Sequence, residues 1–502
     1  MSPKGSRCSD RSDAKKGWGE ALSDSERPKA HALRDRAHLV ASTFCAGGHL
    51  LALVITVGML GAMALAQTPP EEPAVGEPGQ TEAEESPEAP TSQPVAEEEE
   101  PKSVLEALLT GERATGDWGG ARPWLEECGV TFDMTLTTFF QSVAHGGLNT
   151  RRAHTILGVN ALELTLDLGK MKLIPGGTMY VYATNSWGES PTTRGWTGDL
   201  FDVNGIELGN HPINVHELWY EQALLDNKLR VRFGRIMLPN SFDTNAFAFD
   251  TTLDFTNWGL NHAANIPFPA KAWGAIGAQA FFTPCDWFHV GAGLADAQGE
   301  LGQTGFHTAF HEDGYFFSIY EFGFTPKWET GWGKLPGNYR LGLWHDPQPK
   351  PVFFDDLGGR RQAVPMRRDD VGFYTSLDQM IFRENPAVEG DEQGLGLFFR
   401  YSHAHGDVNT IEDFWSVGGQ YRGLVPTRDD DVLGVGVAQG ILSDELRRTG
   451  ADPHRETAIE VYYNIQLLPW LSLAPDFQWI LCPGGENGRD AFVAGLRLKM
   501  AF

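Results

Sequence analysis

The chemistry in this sequence is concentrated in one stretch, "NVHELWYEQALLDNKLRVRFGR" (214–235). Glu217, Trp219 and Glu221 alternate along its first arm, and Arg230 and Arg232 along its second. Asp226 and Asn227 between the arms supply a tight turn, so the spacing predicts a β-hairpin with carboxylates facing guanidiniums across two strands. Opposed charges of this kind hold one another extended, and around a water-filled lumen they set a transverse field. Planar donors and acceptors next to an indole ring also match what a sugar ring offers. Arg340, Trp344 and Arg400 fall at the same inward parity in later segments. The plainer alternative is a set of wall ion pairs with no ligand role.

Other constellations are weaker. His403 and His405 share a strand face, but no third metal ligand is near them in sequence. Arg428–Asp431, "RDDD", fits a turn closed by its own ion pair. There is no G-x-S-x-G, P-loop or H-E-x-x-H motif, so neither a catalytic centre nor a cofactor is expected. Of five cysteines, Cys8 and Cys45 fall in an apparent leader. Cys128, Cys285 and Cys482 leave room for one disulfide, but their spacing fits neither a disulfide framework nor a zinc site.

The elements that must position these residues have a period of two. In "NALELTLDL", Leu162, Leu164, Leu166 and Leu168 oppose Glu163, Thr165 and Asp167. In "AIEVYYNIQL", Ile459, Val461, Tyr463, Ile465 and Leu467 oppose Glu460, Tyr462, Asn464 and Gln466. Successive side chains of a strand point to opposite faces, so each segment has an apolar and a polar side. Sixteen such segments are predicted: 131–140, 155–168, 177–185, 215–225, 228–236, 272–283, 286–295, 315–325, 339–346, 371–380, 394–402, 415–423, 432–440, 457–467, 471–481 and 491–502. Most are near the ~9–11 residues that cross a bilayer when tilted. The expected class is all-β, a transmembrane antiparallel β-barrel of about sixteen strands.

The connections agree. Residues 226–227, 284–285 and 468–470 are tight turns, whereas 141–154, 186–214, 237–271, 296–314 and 347–370 are long. Over the first nine strands the odd connections are the long ones, an asymmetry that outer-membrane barrels have and soluble sandwiches have no reason to show. Trp187, Trp196, Trp273, Trp287, Trp328, Trp332, Trp344, Trp415 and Trp470 lie near strand ends, as an aromatic girdle requires. The long loop 237–271 is rich in Phe, Asn and Asp, a composition that suits a segment folded into a lumen better than a solvated one.

The formal net charge of −26 argues against a nucleic-acid partner. Residues 1–66 read as a signal peptide with a long polar n-region. The apolar run 50–66 ends in Ala64-Leu65-Ala66, a cleavage pattern; an uncleaved anchor is the alternative. Residues 67–102 are a Pro/Glu-rich segment that cannot bury a core and reads as a disordered linker. Residues 103–130 carry two short helical patterns, 103–112 and 122–129, before the barrel domain at 131–502. The last strand, "AFVAGLRLKMAF", points Leu496, Leu498 and Met500 to lipid and Arg497 and Lys499 to water.

Three blocks then resemble a known family. "TGDWGGARPWLEECGVTFD" (115–133), "LGLFFRYSHAHGDVNTIEDFWSVGGQYRGLVPTRDDDVLGVGVAQG" (395–440) and "ETAIEVYYNIQLLPWLSLAPDFQWILCPGGENGRDAFVAGLRLKMAF" (456–502) are similar to the entry, late-barrel and C-terminal blocks of the carbohydrate-selective porins of the OprB type. The resemblance implies a sixteen-stranded outer-membrane barrel, monomeric or homotrimeric. It also implies passive diffusion of mono- or oligosaccharides through a narrow, charged and aromatic eyelet. Outer-membrane lipid and the barrel assembly machinery are the implied partners, and Phe502 resembles the terminal aromatic that this machinery reads. A general or anionic-nutrient porin on the same barrel is the alternative, and a barrel-embedded hydrolase a more distant one.

Overall fold

The computed structural model describes residues 109–502, apart from 207–208, 273, 301–302, 304–305, 311–313, 354–364, 389 and 448–452. The leader, the Pro/Glu-rich segment and most of the first helical pattern lie outside the described residues. A short helix, α1 (Ala121–Glu127), precedes the barrel, one residue from its predicted start.

Sixteen barrel strands follow among the described residues. They are β1 (Val130–Gly146), β2 (His154–Asp167), β3 (Gly177–Trp187), β4 (His211–Leu224), β5 (Leu229–Ile236), β6 (Ala275–Cys285), β7 (Phe288–Asp296) and β8 (Phe316–Phe324). Then come β9 (Gly333–Asp346), β10 (Asp370–Arg383), β11 (Gly394–Ala404), β12 (Ile411–Arg422), β13 (Val432–Leu442), β14 (Arg455–Leu468), β15 (Leu471–Leu481) and β16 (Ala491–Ala501). Strand β8 resumes beyond Pro326 as Lys327–Thr330, still paired with β9. Proline has no N–H for the ladder, which accounts for the break. Every predicted segment coincides with one of these strands.

Each strand pairs antiparallel with its sequence neighbours, and β16 returns to β1 with Thr135 opposite Ala501 and Phe140 opposite Leu496. The Phe502 N–H donates to the Met134 carbonyl at 2.8 Å. Closure leaves no row of unpaired backbone groups, the condition for a sheet to cross lipid. Ile156, Phe233, Leu341, Leu343, Leu496 and Leu498 project outward and are exposed, as lipid-facing positions must be. No helix among the described residues is long and apolar enough to span a bilayer; the strands do so.

Connections sort by end. Residues 225–228, 286–287 and 469–470 turn tightly at one end, while 188–210, 237–274 and 347–369 are long at the other. The β4–β5 turn is tight because Leu225, Asp226 and Asn227 all have positive φ, and Asp and Asn tolerate the left-handed region. At the tight-turn end Trp287, Phe324, Pro326, Trp328 and Tyr339 form an outward aromatic patch. Trp344 points inward, as its parity predicts, and is buried rather than part of the girdle. Cys128, Cys285 and Cys482 are free.

Candidate functional site

The interior is organised by the β5–β6 loop, which folds into the lumen as its composition predicted. It crosses from β5 and docks on the inner faces of β10 to β16. Asn245 Nδ2 bonds the Leu377 carbonyl at 3.1 Å, and the Ala246 N–H meets Asp378 at 3.1 Å. The Asn257 N–H donates to Glu460 at 2.9 Å and its side chain to Gln478 at 3.1 Å. Two buried arginines collect loop carbonyls. Arg400 donates to Leu260 O and Ala248 O, each at 2.7 Å, and to the Asp243 carboxylate at 3.1 Å. Arg497 donates to Thr251 O at 2.8 Å and to Asp254 O and Leu253 O at 2.6 Å. Five N–H donors in a planar fork suit arginine to this work.

The β3–β4 loop folds inward beside it. The Leu200 N–H meets Glu456 at 2.9 Å, and the Val203 carbonyl accepts from Gln141 at 3.2 Å and Gln478 at 2.8 Å. Within these loops burial raises the pKa of Asp199 and Asp254 above the usual carboxylate range. Burial also lowers that of His262, which packs against Trp258 with ring centroids 4.3 Å apart. At the opposite end Arg428 forms two bonds to Asp431, at 2.9 and 2.8 Å. Burial opposes ionisation of Asp431, but Arg428, Tyr463 and the Gln466 N–H overcome it and lower its pKa.

The predicted hairpin sits on the opposite wall. Glu221 accepts from Arg230 Nε at 2.7 Å and from Arg232 Nη2 at 3.0 Å. The Arg232 guanidinium lies 3.7 Å from the Trp219 ring centroid, and Tyr180 stacks on Trp219 at 4.8 Å. Tyr180 donates to Glu163 at 2.8 Å. Three strands thus contribute to one stack, in which Trp219 supports a guanidinium by cation–π attraction. The Arg230 side chain is 58 % exposed and that of Arg232 17 %. Arg340 pairs with Asp378 at 3.2 Å on the adjoining wall, beside His289 and Glu321.

Four inward residues are placed otherwise than expected. Arg400 is wholly closed to solvent because the loop covers it. Trp344 lies flat over Gly372, where an added Cβ would come within 2.3 Å of its ring. Glu217 is sealed beneath the root of the loop. Arg497 meets loop carbonyls rather than water. Parity gave the direction of each side chain but not what covers it. Tyr180, Asp243 and Glu456 were not singled out from the sequence, and Glu460 only by the face it shares; nothing local marks their distant partners.

Glycines thin the wall where rings lie on it. Phe281 covers Gly291, His289 covers Gly323 and Tyr374 covers Gly342. A Cβ at Gly342 would sit 2.1 Å from the Tyr374 ring, whose hydroxyl donates to Glu321 at 2.7 Å.

Residues 151–502 match the family described as carbohydrate-selective porin, OprB family. The chain belongs to that family. Porin B of Pseudomonas aeruginosa is 24% identical over 420 residues, covering 77% of this chain and 90% of that one. The high-pH structure of Pseudomonas putida OprB superposes with a TM-score of 0.69 at 23% identity, covering 78% of this chain and 99% of that chain. The low-pH structure of the same protein gives 0.50 at 18% identity, over 78% and 99%. This OprB-family porin is therefore an outer-membrane diffusion channel, with lipid around it and a constricted lumen within.

Proposed function

We propose that this porin passes sugars passively and in preference to other solutes of equal size. The observation that carries the reading is the Tyr180–Trp219–Arg232 stack with Glu221, set on the wall facing the folded-in loop. Arg232 is held flat by an indole and a carboxylate, so its remaining donors are preorganised for vicinal hydroxyls. Glu163, Glu221, Arg230 and Arg340 complete a polar track that replaces part of a sugar's hydration. The Trp219 face is covered by its neighbours, so Trp219 acts on a sugar through Arg232 rather than by stacking.

One observation favours the anionic alternative. Arg230 is largely open and shares Glu221 with Arg232, so it presents an exposed guanidinium to the lumen. Swelling of proteoliposomes in sugars, neutral amino acids and anionic metabolites of matched size separates the two. Faster entry of sugars supports the proposal. Equal rates, or faster anions, contradict it.

A further inference from the structure

Glu217 is inaccessible to any permeant, yet it occupies a junction. Its Oε2 accepts the Trp219 indole N–H at 3.0 Å. Its Oε1 accepts the Met237 N–H at 3.0 Å and Asn240 Nδ2 at 3.2 Å, both at the root of the constriction loop. The next contacts of that root continue along the same wall. Ser241 Oγ accepts from Gln279 at 2.9 Å, and Gln279 lies directly opposite Arg232 on β6. Phe242 packs on Phe281 at 5.2 Å. One carboxylate thus joins the point where the loop leaves the wall to the indole on which Arg232 rests.

We infer that Glu217 is a positioning residue, fixing the loop root and the Trp219–Arg232 pillar in a single register and so setting the aim of the Arg232 guanidinium into the lumen. Its two oxygens accept from different partners, so one side chain holds both sides at once. Without it, the buried Trp219 N–H and the half-buried Met237 N–H lose their acceptor, and the loop root and the indole move independently. The inference rests on the sugar-channel reading only for its effect on sugars; its effect on ions does not.

The test compares wild type, Glu217→Ala, Glu217→Gln, Arg232→Ala and the Glu217→Ala/Arg232→Ala double variant in planar bilayers. Ion selectivity is read from the reversal potential in a KCl gradient, and sugar affinity from block of the current by a maltose titration. In Glu217→Ala, sugar block weakens about tenfold, the scale of one lost orienting hydrogen bond. The change in reversal potential caused by Glu217→Ala is smaller in the Arg232→Ala background than in wild type, so the double variant lies close to Arg232→Ala alone. Glu217→Gln, which keeps one acceptor oxygen, falls between. Additive effects, or unchanged reversal potential in both Glu217 variants, overturn the inference. Absence of sugar block in wild type contradicts the sugar reading, and the reversal potentials still decide the role of Glu217.

A different observation concerns the "GDWGGAR" motif (116–122), which the channel does not use. Arg122 lies 4.3 Å over the Trp118 ring and donates to the Phe132 carbonyl at 3.1 Å. Arg113 grips Asp133 with Nε at 3.1 Å and Nη2 at 2.7 Å. The Ala114 N–H donates to the Ala501 carbonyl at 2.9 Å. Gly116, Trp118, Gly119 and Gly120 all have positive φ, so the motif is a tight coil that glycine permits. Phe132 and Asp133 belong to β1 and Ala501 to β16, the two strands whose pairing closes the barrel.

We further infer that this segment is a buckle across the seam, retarding separation of β1 from β16. Arg122→Ala and Trp118→Ala should each lower the temperature at which the barrel unfolds in SDS, with single-channel conductance unchanged. The same variants at Trp287, on the far wall, should have less effect. Unaltered unfolding temperatures in both motif variants, or an equal drop for Trp287→Ala, overturn the inference.

Discussion

Arg400 and Asp243 form an ion pair at 3.1 Å in which neither side chain has any exposed surface. It joins a strand of the far wall to the start of a loop that leaves β5, so the constriction is held by bonds between segments far apart in sequence. Removing one partner strands the other as a buried charge, a loss of about 3–5 kcal/mol. Arg400→Ala should therefore free the loop, raising single-channel conductance and opening 237–274 to proteolysis. Conductance and cleavage like wild type would show that the remaining anchors suffice.

Arg497 makes the corresponding bonds from the last strand. Arg497→Met removes the donor from three loop carbonyls, and that of Thr251, in a buried bond, is left unsatisfied at a cost of ~1–3 kcal/mol before relaxation. The expected result is noisier open-channel current with normal surface assembly. Quiet current identical to wild type would contradict an anchoring role.

The strands and the inward fold of the loop were legible in the sequence because both rest on local signals. Alternation and length fix a membrane strand, and Phe-rich composition marks a loop that will be covered. "AFVAGLRLKMAF" shows where this stops. Its alternation put Arg497 on the inner face, but water and a loop carbonyl are equivalent to a period-two pattern. Glu217, Trp344 and Arg400 were directed inward for the same reason and then covered by segments whose path depends on contacts across the barrel. The opposed charges of the β4–β5 hairpin were readable because a tight turn sets their register.

The pH response of the constriction follows from His262. Burial lowers its pKa, so the packed loop favours the neutral ring. That contribution is complete above the unpacked value of ~6.5 and is lost as pH falls below it. Asp199 and Asp254 act in the opposite sense, their raised pKa values favouring the packed loop in acid. The difference between wild type and His262→Phe isolates the histidine. Between pH 7.5 and 5, gating noise should rise more in wild type than in His262→Phe; equal responses would remove His262 from the account.

Gly342 must stay small because the Tyr374 ring occupies the space above it. Gly342→Ala should displace the ring and break its bond to Glu321, destabilising the barrel by ~1–3 kcal/mol as overpacking does. Unfolding in SDS at lower temperature is the readout. An unchanged transition would mean that the ring moves freely.

Phe502 completes the seam through its N–H bond to the Met134 carbonyl, and we propose that its ring serves as an assembly signal. Deleting it should reduce insertion severalfold in cells while the channels that do form conduct normally. Full surface assembly of the truncated chain would contradict the proposal.

Recognition of sugars at the Arg232 pillar, as proposed, is tested by block of single-channel current by a sugar titrated against wild type and Arg232→Ala. The expected result is saturable block of wild type and its loss, with ionic current retained, in the variant. Equal block of both channels, or none in either, would contradict it.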